Sequence, residues 1–183
     1  MPLCPPFYAP KEFVLSILDI LTYPNRFLLK TPRRIENIDG ELQEQIKNMV
    51  ETMYDAPGVG LAATQVGFDG RLIVFDPESD KKNGLYRVLI NPKIVESHGE
   101  ILSEDEGCLS VPGFRSNVRR ASHILVEGVD QDGNPLSIEA DGFQAILLQH
   151  EIDHLQGKLF IDRISALKRN LYKKRVQKSL NRS

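Results

Sequence analysis

The chain is short of the features that mark membrane and secreted proteins. No apolar run in its 183 residues approaches the ~20 residues that cross a bilayer. The first fifteen residues, MPLCPPFYAPKEFVL, lack the basic start, apolar core and small-residue cleavage site of a secretory signal. Only two cysteines are present, Cys4 and Cys108. In a chain that is not secreted they face a reducing compartment, so no disulfide between them is expected. There is no internal repeat and no low-complexity linker, which points to one domain over residues 1–183. Acidic residues are missing from the C-terminal end. All 25 lie before position 168, against 16 basic residues there, so residues 1–167 carry −9. From Lys168 onward there are seven basic residues and a charge of +7. Such asymmetry bears on partners, not on fold.

What is present divides into recognisable elements. Residues 1–15 read as an extended arm, with four of the eleven prolines in the first twelve positions. From Asp39, a good N-cap, Leu42, Ile46, Met49, Val50 and Met53 recur at the spacing of one buried helix face, and Pro57 closes the segment. Strand-like stretches follow at 71–75 (RLIVF), 86–95 (YRVLINPKIV), 123–129 (HILVEGV) and 135–140 (PLSIEA). Asn83-Gly84 and Asp132-Gly133-Asn134 supply turn chemistry between them. A helix is predicted from Asp141 to Gly157 and a last one over 165–180. The class is α+β: clustered antiparallel or mixed strands around a central buried helix, with a C-terminal helix.

Two segments carry chemical signals. Gly58-Val59-Gly60-Leu61-Ala62-Ala63 fits G-x-G-x-x-A, a pattern found where backbone cradles a pyrophosphate. A dinucleotide loop follows a strand and opens a helix, whereas this one follows a helix and leads to a strand, so a nucleotide site is not expected. The stronger signal is His150-Glu151-Ile152-Asp153-His154. On a helix, residues four apart share a face, so two imidazoles there can grip one metal ion. Glu151 then stands close enough to take a proton from bound water. Phe143, Ile146, Leu147, His150, Glu151 and His154 fall on one stripe. Ala145, Leu148, Ile152 and Leu155 form a second, and Gln149, Asp153 and Gln156 a narrow polar one. A helix this apolar is mostly buried, and two buried histidines with a glutamate need partners that a metal supplies.

A catalytic metal usually has a third protein ligand. His98, His123 and Cys108 are the candidates. Cys108 lies in Glu106-Gly107-Cys108-Leu109-Ser110, and its thiolate suits Zn or Fe. His98 and His123 stand at strand ends, where an ordinary surface role fits equally well.

The segments at 58–65, 106–110 and 149–155, taken in order, resemble the three motifs of bacterial peptide deformylases. The resemblance runs from about Ile17 to the C-terminal helix. It implies a hydrolase that removes the formyl group from the N-terminal formyl-methionine of new polypeptides. It implies that Cys108, His150 and His154 hold one divalent ion: Fe(II) in the cell, with Zn, Ni or Co also admitted by the ligands. Glu151 is then the general base. Gln65 and the backbone N–H of Leu109 would stabilise the oxyanion. Gly58 and Gly60 would leave room for a peptide backbone. Val59, Phe143, Ile146 and Leu147 are placed to line a methionine pocket, or equally to be core, and Arg115 to steady the peptide or to lie on the surface. The implied setting is the cytoplasm of a bacterium, or an organellar stroma or matrix, with no membrane contact.

Two rivals have different consequences. An ordinary metallopeptidase would normally take its third ligand from a later His or Glu, and neither occurs after His154. A metal-stabilised RNA- or ribosome-binding module would need the basic tail but neither Glu151 nor Gln65. In the tail itself, Ile164, Leu167, Leu171 and Val176 are expected to pin one face to the body. Lys168, Arg169, Lys173, Lys174, Arg175 and Lys178 would then stay in water, ready to meet ribosomal RNA.

Overall fold

Leu72, Ile73, Val74 and Phe75 form β2 (Leu72–Phe75), and a run with no polar residue needs cover on both faces. All four side chains are fully buried. Leu72 and Val74 belong to one core with Ile46, Met49 and Met53 of α1 (Gly40–Asp55). Ile73 and Phe75 belong to another with Ala145, Leu148 and Ile152 of α2 (Gly142–His154). The sheet is thus the middle layer between two helices. The computed structural model describes residues 16–78 and 85–181; the arm, with Cys4, and the Asn83-Gly84 turn lie outside them.

The main sheet joins β1 (Gly60–Ala62), β2, β3 (Arg87–His98), β6 (His123–Val129) and β7 (Pro135–Asp141) in the order β1-β2-β3-β6-β7. Every neighbouring pair is antiparallel. A second, two-stranded antiparallel sheet pairs β4 (Ile101–Glu106) with β5 (Ser116–Arg120). The expected α+β class holds, and four of the seven strands fall where the sequence places them. β1, β4 and β5 escape the sequence reading for physical reasons. β1 has three residues and begins with glycine. β4 and β5 read ILSEDE and SNVRR, and β5 turns Ser116, Val118 and Arg120 inward, so hydropathy hides its alternation.

The helices begin as their caps dictate. Asp39 accepts from the Leu42 N–H at 3.0 Å, and the predicted α1 stripe is buried. Gly142, at φ +50°, lets β7 turn directly into α2. Of the predicted polar stripe, Gln149 and Asp153 are buried as well, whereas Gln156 lies exposed past the end of α2. Gln149 accepts from the Ala121 N–H (3.0 Å) and donates to the Ala121 carbonyl (2.9 Å), while Asp153 meets two arginines.

The last helix, α3 (Ala166–Leu180), corrects the predicted face. Leu167 and Leu171 are 71% and 61% exposed, and the anchor is Tyr172, 2% exposed, with Ile164 and Val176 half-buried beside it. The wall that α3 meets is aromatic: the Tyr172 ring lies 4.9 Å from Phe114 and 5.8 Å from Tyr23. A phenol suits that wall better than a leucine, and hydropathy alone ranks the two the other way.

Candidate active site

Burial of α2 forces a question about each polar group on it. His154 is fully buried, and His150 and Glu151 nearly so. His150 Nδ1 meets Glu106 Oε1 at 2.8 Å. Glu106 comes from the end of β4, and its two oxygens accept from Arg120 at 2.6 and 2.9 Å. Arg120, on β5, also donates to Asp153 at 2.9 Å, and Asp153 accepts twice from Arg163 at 2.5 Å. A chain of ion pairs therefore ties α2 to the small sheet and fixes the His150 ring. Burial opposes the charged form of Glu106, but the hydrogen bonds from Arg120 and His150 outweigh it and hold the carboxyl down at about 2.

With Nδ1 engaged, His150 presents Nε2 to the space where His154 and Cys108 converge. Cys108 Sγ lies 3.2 Å from His154 Nε2, and one donor atom from each of Cys108, His150 and His154 falls within 4.8 Å of the others. Burial alone would lower the His150 pKa, yet the neighbouring Cys108, Glu106 and Glu151 raise it well above the usual value. The same concentration of negative groups favours a cation. Two imidazoles and a thiol so placed, one ring held through its far nitrogen, fit a Zn- or Fe-type ion.

Glu151 sits beside this cluster. Burial pushes its carboxyl up to about 7, and Oε2 has no hydrogen-bond partner among the described residues. A base poised near neutrality with an unused oxygen is suited to proton transfer. Its approach depends on Gly60, where a Cβ would stand 2.6 Å from Glu151 Oε1 and 2.8 Å from Leu147 Cδ1. Gly60 thus makes room for the glutamate itself. Gly58 makes room for Leu109, whose Cδ1 would lie 3.1 Å from its Cβ.

Gln65 is buried in the short 3-10 helix Ala63–Val66. Its Oε1 accepts from the Ala62 N–H at 2.8 Å, so its NH2 turns to Ser110 Oγ (3.2 Å) and Cys108 Sγ (3.7 Å). A donor is thereby aimed at the cluster.

These groups lie at the floor or rim of one cleft of about 930 Å³. Val59, Ile146, Leu147 and Phe143 form its apolar side, Phe143 being half exposed. Arg115 stands at the rim, donating to the Asp105 carbonyl oxygen at 3.0 Å. All the residues singled out in the sequence for metal, base, oxyanion and peptide thus border one space, apart from His154, which lies beneath it against Cys108. His98 and His123 do not join it; they stack on each other at the ends of β3 and β6. The sequence reading passed over Arg120, Arg163 and Ser110 and gave Glu106 no task. A charged Asp153 on an otherwise apolar helix was the available signal that a buried cation was needed.

A half-buried thiol, two buried histidines four apart and an adjacent glutamate on an open cleft fit a mononuclear metallohydrolase centre. The comparisons with known proteins specify which. The family described as polypeptide deformylase matches residues 17–170. A peptide deformylase of Desulfosudis oleivorans is 50% identical over 169 residues, 92% of this chain and 98% of the relative. One of Thermodesulfovibrio yellowstonii is 52% identical over 163 residues, covering 89% and 98%. The crystal structure of a Legionella pneumophila peptide deformylase superposes with a TM-score of 0.83 at 46% identity, covering 91% of this chain and 96% of that one. That of the Synechococcus elongatus enzyme in complex with actinonin gives 0.81 at 41%, covering 87% and 88%. The chain belongs to the peptide deformylase family. It is a metal-dependent hydrolase that removes the formyl group from the amino terminus of nascent formyl-methionine polypeptides.

Proposed function

We propose that Cys108, His150 and His154 hold the ion, Fe(II) in the cell, and that Glu151 is the general base in a single catalytic unit formed by the whole chain. The observation that carries this is the convergence of the three donor atoms within 4.8 Å beside a buried carboxyl raised to about 7. Such an ion, when bound there, would supply Lewis acidity that makes water a better nucleophile and the formyl carbon a better electrophile. Glu151 accepts the proton as the water attacks, and returns it to the leaving amine. Gln65 Nε2–H and the Leu109 backbone N–H donate to the oxygen that becomes negative. The apolar wall of Val59, Phe143, Ile146 and Leu147 takes the methionine side chain, and Arg115 and Gly58, which border the same cleft, steady the peptide. Formate release from a formyl-methionine tripeptide tests the whole assignment. Acetyl-methionine peptides should be far poorer substrates, because a methyl group enters where only hydrogen fits. Comparable kcat/KM values for the two would overturn it.

The same reading places the protein in the cytoplasm, where the substrate emerges from the ribosome. No helix among the described residues is long and apolar enough to cross a membrane. Lys168, Lys173, Lys174, Arg175 and Lys178 lie exposed on α3, and Arg169 half-exposed, so the helix offers a cationic surface to ribosomal RNA. Because Tyr172 anchors α3 in the core, charge removal is a cleaner test than truncation. Lys173→Ala/Lys174→Ala/Lys178→Ala should lower ribosome co-sedimentation at low salt and leave tripeptide hydrolysis intact. Equal, salt-insensitive sedimentation of both proteins would exclude this contact.

A further inference from the structure

His98 and His123 take no part in the site described above. They are directly paired across β3 and β6, and both rings are exposed. Side chains opposite one another on antiparallel strands share a face. Here the ring centroids lie 5.0 Å apart with planes within 2°. Ser122 Oγ donates to the His98 carbonyl oxygen at 3.4 Å, so it receives the Nδ1–H of His123 at 2.9 Å. That bond keeps the His123 proton on Nδ1 and leaves the Nε2 lone pair available, as a metal ligand requires. The next residue in the row is Asp141 on β7, paired in register with His123. Its exposed carboxylate makes no capping bond to α2. Two imidazoles and a carboxylate therefore line up across three strands.

We propose that His98 and His123 form a second divalent-metal site, with Asp141 as an outer ligand, for a first-row ion of borderline softness such as Zn2+. With His123 held by Ser122, rotation of the His98 ring about χ2, a broad torsion in histidine, brings one of its nitrogens and His123 Nε2 to one ion at about 2.0–2.1 Å. The centre of Cys108, His150 and His154, with its sulfur ligand, is the stronger site and fills first. The second ion ties together the ends of β3, β6 and β7, where β7 runs into the helix that carries His150 and His154. Its effect is therefore on stability, since an ion that binds only the folded chain raises Tm.

The test uses the full chain with its catalytic centre already loaded with Zn2+, titrated with further Zn2+ by calorimetry. A second equivalent should bind and raise Tm. His98→Ala and His123→Ala should each weaken it by about tenfold or more, and Ser122→Ala by less. Circular dichroism and tripeptide hydrolysis should be unchanged in all three, because none of these residues borders the cleft. Saturation at one equivalent would overturn the proposal. So would a second equivalent that His98→Ala and His123→Ala bind as tightly as the parent. Neither result would touch the assignment of the deformylation site.

Discussion

Glu151 and Cys108 have separable tasks, so their variants should fail differently. Glu151→Gln should keep the metal and lose about 10²–10⁴-fold in kcat. Metal analysis beside a formate assay decides it, and wild-type turnover would remove Glu151 from the mechanism. Cys108→Ser puts a neutral hydroxyl where the proposed site offers a soft sulfur ligand. It should lose metal on dialysis that the parent retains; equal retention would take Cys108 out of the ligand set. Gly60→Ala forces a methyl to within 2.6 Å of Glu151 Oε1, and the carboxylate must move. Its expected signature is a lower kcat at unchanged metal content. At this scale the sequence was most informative where spacing encodes geometry. His150 and His154 are about one helical turn apart with Glu151 between them, and could be read directly. Glu106 and Arg120 could not, because their meaning lies in a contact between β4, β5 and α2 that no local pattern spells out. Arg120→Met should test that contact. It strands Glu106 and Asp153 without their shared cation, and removing one member of a buried ion-pair network costs about 3–5 kcal/mol. Denaturant unfolding would show the loss, and an unchanged midpoint would show the network to be dispensable.

Among the elements, α3 separates apolar composition from burial. Tyr172→Ala empties a buried aromatic position and should cost about 3 kcal/mol, by analogy with other buried aromatic truncations. Leu171→Ala, one residue earlier, should cost under about 0.5 kcal/mol. Similar midpoints for the two variants would contradict the observed face of α3. β2 and the α1 stripe were legible because burial there follows hydropathy. α3 was only partly so, because its docking partner is a cluster of rings assembled from Tyr23, Phe114 and Phe160. The junction of α1 with the sheet carries a titratable tether: Tyr54 OH donates to Asp76 Oδ2 at 3.2 Å. Burial and the Asp76 carboxylate raise the tyrosine to about 12 from 10.0. A raised folded-state pKa contributes stability that is complete below about pH 10 and lost as pH climbs through about 12. Alkaline unfolding of Tyr54→Phe should therefore show a shallower decline over that window than the parent; identical curves would remove the tether.

Across the whole molecule, the proposed metal ligands come from two distant stretches of chain. Cys108 follows β4, whereas His150 and His154 stand at the end of α2, about 40 residues later. An ion gripping all three closes that stretch into a loop, much as a disulfide would, in a chain for which no disulfide is expected. Unlike a disulfide, an ion that binds only the folded chain stabilises it through its binding free energy, which follows its affinity for these ligands. Catalysis depends on the ion's Lewis acidity and coordination preference. Iron-, nickel- and zinc-loaded protein should accordingly each melt well above the chelated chain, in the order of their affinities, while kcat follows a different order. Calorimetric melting of the three forms, each assayed for formate release, would expose any coupling between the two properties. The staple and the catalyst would be one atom, but the two duties rank the elements by different properties.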